Sequence, residues 1–102
     1  MLVDLTAIAF NEEGFMTNPN QWTRDLAEVL AKQEGIEALT PEHWKVIDFC
    51  RTTGLATGKS PTLRQITTGT GISTKELFAL YPKGPAKKVA KISGLGKPEG
   101  CV

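Results

Sequence analysis

At 102 residues the chain has room for one domain with a single modest core, and 40% hydrophobic with 23% charged residues is ordinary for a globular protein. The net charge of +1 hides an asymmetry: residues 1–50 hold 3 basic and 9 acidic side chains, residues 51–102 hold 9 basic and 2 acidic. No apolar run approaches the roughly 18 residues of a membrane span, and "MLVDLTAIAF" lacks a basic leader region and a cleavage site, so the expectation is a cytoplasmic protein with no membrane partner.

In chain order, "LVDLTAIAF" and "GFMT" flank "NEE" and Gly14, a pattern that predicts an N-terminal β-hairpin. "NPNQWTRDLAEVLAKQEGI" places Trp22, Leu26, Val29 and Leu30 at helical spacing, with Gly35 as a C-cap. "LTPEHWKVIDFCRTTGL" predicts a helix capped by Thr40 and begun by Pro41. Trp44, Ile47 and Cys50 share its apolar stripe, and Gly54 is read as its end. In "SPTLRQITTGTGISTKELFALYP", Ser60 and Pro61 open a helix, and after a glycine turn Ser73 or Thr74 caps another through Leu80. "GPAKKVAKISGL" supplies a last short helix with Val89 and Ile92 on one side. Beyond Gly94 the Gly and Pro content argues against helix. The predicted fold is α+β, mostly α: a compact helical domain over 1–93 with a small N-terminal hairpin, and an extended, mobile arm over 94–102 belonging to the same domain.

Two cysteines are too few for a disulfide scaffold and one histidine, His43, is too few for a clustered metal site, so no metal and no cofactor are expected. Cys50, on an apolar helical stripe, reads as a small buried hydrophobe. The helix pair within residues 60–82 fits a helix-turn-helix in which Thr70, Ser73, Thr74 and Lys75 would face DNA. Its second helix carries one Lys and no Arg, fewer cations than phosphate contacts ask for. Nucleic acid is therefore an indirect or weak partner. Lys83, Lys87, Lys88, Lys91 and Lys97 form the basic end of the chain, read either as a solvated face or as a docking surface for an acidic partner.

The last stretch, "GLGKPEGCV", places Cys101 next to the end of the sequence. Nine extended residues at about 3.3 Å each span roughly 30 Å. Gly94, Gly96 and Gly100 are candidate hinges and Pro98 a stiffener. A thiol on such a tether could visit several active sites and exchange sulfur with each; an inert thiol in a frayed tail fits the spacing equally well.

"LYPKGPAKKVAKISGLGKPEGCV" resembles the end of the DsrC/TusE family, related to the gamma subunit of dissimilatory sulfite reductase. In that family a GP-x-K segment leads into an arm with a penultimate cysteine. The resemblance extends upstream through "GFMTNPNQW", "EGIEALTPEHWKVIDF" and "SPTLRQ", nearly the whole chain. It implies a sulfur carrier, rather than a self-sufficient catalyst, that holds sulfur as a persulfide on Cys101 and exchanges it with donor and acceptor proteins. Those partners would be sulfurtransferases, a tRNA-thiolation enzyme or a sulfite reductase.

Members of the DsrC type have a second arm cysteine, and here that position is Ala90. The departure removes an internal disulfide cycle; it matches the single-cysteine TusE type, which relays sulfur towards tRNA 2-thiolation, and also single-cysteine homologues that accompany sulfur oxidation. Gly96 stands where the family usually has proline. Arg64, in "SPTLR", either braces the arm and contacts partners or is an ordinary helix-surface residue. The alternatives to a carrier are a helix-turn-helix regulator with a redox-sensitive cysteine and a noncatalytic subunit of a sulfite reductase-like complex.

Overall fold

Each helix begins where a hydroxyl caps it or a proline starts it. The structure, a computed structural model, describes residues 7–96. The Thr23 side chain accepts from the Leu26 N–H and opens α1, Arg24–Gln33. Thr40 caps α2, Pro41–Thr57, and Thr62 caps α3, Leu63–Thr70. Ser73 caps α4, Thr74–Leu80, and Pro85 begins α5, Pro85–Ile92. Such caps satisfy backbone N–H groups that have no partner inside the helix.

The helix α5 sits at the centre and packs against the other four. Its buried residues Ala86, Val89, Ala90 and Ile92 meet Leu26 and Leu30 of α1, Val46 and Ile47 of α2, Ile66 of α3 and Leu77 of α4 in one core. A second tie joins the start of α2 to the end of α4. His43 Nδ1 accepts the Thr40 N–H at 3.0 Å, so Nε2 carries the proton and donates to the Leu80 carbonyl at 2.8 Å. The Tyr81 hydroxyl donates to the His43 carbonyl at 2.9 Å, and the two rings meet edge to face.

Ahead of α1 the chain makes a tight turn around Asn11, whose Oδ1 accepts the N–H groups of Glu13 and Phe15. The turn is closed by one antiparallel bridge between Phe10 and Met16, then a short 3-10 turn at Pro19–Gln21 leads into α1. No strand forms among the described residues. The predicted hairpin begins ahead of Ala7, outside them, so what the structure establishes is a mostly helical domain.

Three element boundaries differ from the sequence reading. Trp22 precedes α1 instead of lying on its stripe. Gly54 does not end α2; the helix runs to Thr57 and stops at Gly58, whose φ of +77° is left-handed. The helix α3 begins after Thr62, with Gln65 completing a capping box, and not at Ser60 and Pro61.

Candidate functional site

The end of α5 is the last described part of the chain ahead of Cys101 in the sequence, and it is held from several directions. Gly94, at φ +72°, lets the Leu95 N–H return to the Ala90 carbonyl at 2.9 Å, closing the helix. The next carbonyls are taken by side chains from elsewhere. Trp22 Nε1 donates to Ile92 O at 2.7 Å, and Arg51 Nη1 donates to Ser93 O at 2.8 Å. The Arg51 guanidinium lies 4.2 Å from the centre of the Trp22 ring, so each fixes the other. Burial pulls the Arg51 pKa below its ordinary value. Leu95 is buried against Gly54, and the Ser60 hydroxyl donates to the Gly96 carbonyl.

The hinge expected at Gly94 is thus a buried helix cap pressed against Trp22, because Ile92–Leu95 is part of the core. Gly96 is exposed. Lys97, Pro98, Gly100 and Cys101 lie outside the described residues.

The other thiol is closed off. Cys50 has no exposed surface, and burial pushes its pKa up to about 12. A thiol is a weak nucleophile and the thiolate a strong one, so Cys50 is inert at neutral pH.

The basic residues divide. Lys88 Nζ donates to the Glu34 carbonyl at 2.8 Å, and Lys91 Nζ lies 4.0 Å from Glu34 Oε1 and 5.3 Å from the centre of the Phe15 ring. Both therefore serve the C-terminal end of α1, where a cation suits the helix dipole. Lys83 is exposed and Lys87 half-buried. Arg64 is exposed on α3, beside an open groove lined by Phe49, Thr53 and Gly69. Among the described residues, Arg51 is the arginine that bonds the end of α5.

The pair α3 and α4 packs together, but two of the residues read as DNA contacts are occupied in the fold. Thr70 Oγ1 donates to the Ile66 carbonyl, and Ser73 Oγ accepts the Glu76 N–H. Thr74 and Lys75 are exposed.

The family model described as "DsrC like protein" matches residues 3–102, which include Cys101. The chain belongs to the DsrC-like family. Its relatives include the gamma subunit of dissimilatory-type sulfite reductase from Nitratidesulfovibrio vulgaris, 37% identical over 92 residues covering 90% of this chain and 88% of that one. Sulfurtransferase TusE of Escherichia coli O6:H1 is 39% identical, with 93% of each chain covered. The solution structure of DsrC from Allochromatium vinosum matches with a TM-score of 0.81 at 38% identity, covering 93% of this chain and 90% of that one.

Three residues that hold the end of α5 were missed as such from the sequence. Trp22 looked like a stripe residue and Ser60 like a helix opener, and nothing in the spacing of Arg51 marks it. All three act on segments 36 to 70 residues away, beyond any local pattern.

Proposed function

We propose that the chain is a sulfur carrier in which Cys101 accepts a sulfur atom as a persulfide and passes it to a partner protein. The observation that carries this is the closure of Cys50: of the two thiols in the chain, one is sealed in the core with its proton held to about pH 12. The other stands in the segment that the family model matches through residue 102. In the transfer, the Cys101 thiolate attacks the outer sulfur of a donor persulfide. A new S–S bond forms on Cys101, the donor S–S bond breaks, and the donor leaves as a thiolate. One sulfur atom changes hands with no net oxidation, and reversal onto an acceptor thiolate completes the relay. Such chemistry fits the reducing cytoplasm, where thiols persist.

Donor and acceptor would be sulfurtransferases of a tRNA 2-thiolation relay or proteins of dissimilatory sulfur metabolism. Ala90 favours the relay, since it supplies no second sulfur for an internal disulfide cycle. Lys83, Lys87, Lys97 and Arg64 are the cations proposed to meet an acidic partner, with Lys88 and Lys91 engaged by Glu34. The test is sulfur transfer from a persulfidated donor protein. Wild type and Cys50→Ala should take up sulfur and pass it on, and Cys101→Ser should do neither. Transfer by Cys101→Ser would overturn the assignment.

A further inference from the structure

We infer that Trp22, Arg51 and Ser60 are positioning residues for sulfur transfer, which clamp residues 92–96 to the body and fix the point from which the Cys101 segment departs. The inference rests on the reading that Cys101 carries the sulfur. The helix α5 already closes itself through the Leu95 N–H to Ala90 O bond, and with Ile92 and Ser93 fully buried the next carbonyls cannot turn to water. Instead Ile92 O and Ser93 O are taken by Trp22 Nε1 and Arg51 Nη1, donors 70 and 42 residues away, which are stacked on each other. Gly96 is exposed, yet the hydroxyl of the buried Ser60 donates to its carbonyl. Leu95 is seated on Gly54 between these contacts. Side chains from the segment before α1, from α2 and from the α2–α3 loop thus converge on five consecutive residues.

The effect on a carrier follows from tether length. Cys101 lies five residue steps from Gly96, a covalent reach of about 17 Å, against nine steps from Ile92 and about 30 Å. Effective concentration at a docked partner falls roughly as the −3/2 power of tether length, so releasing the clamp would dilute the thiol about two- to threefold before any loss of direction.

The experiment compares Ser60→Ala, Ser60→Thr and the double variant Ser60→Ala/Arg51→Met in two reactions: sulfur transfer from a persulfidated donor protein, and reaction of Cys101 with a small uncharged disulfide. Ser60→Ala, which frees Gly96 alone and lengthens the tether from five steps to six, should lose only about 1.3-fold in protein-to-protein transfer. The double variant should lose up to about tenfold, as misplacement of a reacting group adds to dilution. Ser60→Thr keeps the hydroxyl and should stay near wild type, and the small-disulfide rate should not change in any of them. Wild-type transfer by folded Ser60→Ala and double variants overturns the proposal, and so does a parallel fall in the small-disulfide rate. Ser60→Ala alters one loop hydroxyl, and its spin-label distance distribution decides the matter if the double variant unfolds. Spin labels on Cys101 and on Thr68→Cys separate this inference from the carrier reading. Their distance distribution should broaden in the clamp variants whether or not Cys101 carries sulfur, and an unchanged distribution overturns the clamp.

Discussion

Trp22 and Gly94 are in such close contact that a Cβ added to Gly94 would lie 2.8 Å from both Cβ and Cδ1 of Trp22. Gly94 also has a φ of +72°, where an L side chain is strained. Gly94→Ala should therefore cost about 2 kcal/mol or more, and lower the melting temperature by roughly 8–16 °C in a domain of this size. Thermal unfolding checks this. An unchanged melting temperature would mean that the end of α5 is not packed against Trp22.

The division of the lysines gives opposite expectations for neighbouring residues. Lys88→Met removes the donor to Glu34 O at the end of α1 and should destabilise the fold by about 1 kcal/mol. Lys83→Glu/Lys87→Glu should leave stability within about 0.5 kcal/mol but slow association with a sulfur-relay partner. That defect should shrink as salt rises, since screening also weakens the wild-type attraction. Association at the wild-type rate in low salt would reduce Lys83 and Lys87 to a solvated face.

Stability should fall in alkali, with Cys50 setting part of the slope. Its pKa rises from an ordinary 9.0 to about 12 through burial. Between those values the unfolded chain has lost the thiol proton while the folded chain keeps it. Unfolding then releases a proton, and the stabilisation present below pH 9 is lost progressively up to pH 12, at about 1.4 kcal/mol per pH unit at most. Tyr81 is raised from 10.0 by burial and then by Cys50, and acts in the same direction from pH 10 upward. Denaturant midpoints between pH 9 and 11 should drop less steeply in Cys50→Ala than in wild type. Equal slopes would contradict the buried, protonated thiol.

Mild oxidation should join two chains through Cys101 rather than close a loop within one. Cys50 has no exposed surface, and Ala90 stands buried in α5 without a sulfur. Non-reducing electrophoresis should show a reducible dimer that Cys101→Ser abolishes. A Cys50–Cys101 crosslink in peptide maps would show instead that the core opens to the thiol.

Much of the helical plan could be read from local chemistry. Thr40 with Pro41 and Ser73 mark helix starts wherever they fall, and the Val89 and Ile92 face of α5 follows from its period. The errors come from residues whose role is decided by distant neighbours. Gly54 resembles a helix stop, but it is small because Leu95 lies over it; the stop is Gly58, where φ is positive. Ser60 resembles a cap, but its hydroxyl holds Gly96 O. The true start of α3 was legible, since Thr62 and Gln65 carry the spacing of a capping box. The proposal for Cys101 comes from the resemblance of its segment, whereas the contacts of Trp22 and Arg51 with the end of α5 needed the fold.

The central claim is that Cys101 carries sulfur and Cys50 does not, and intact mass with peptide mapping after exposure to a persulfidated sulfurtransferase tests it most directly. Wild type should gain one sulfur, about 32 Da, on the peptide containing Cys101, and lose it to a thiol reductant. Added sulfur on the Cys50 peptide, or the same gain in Cys101→Ser, would contradict it.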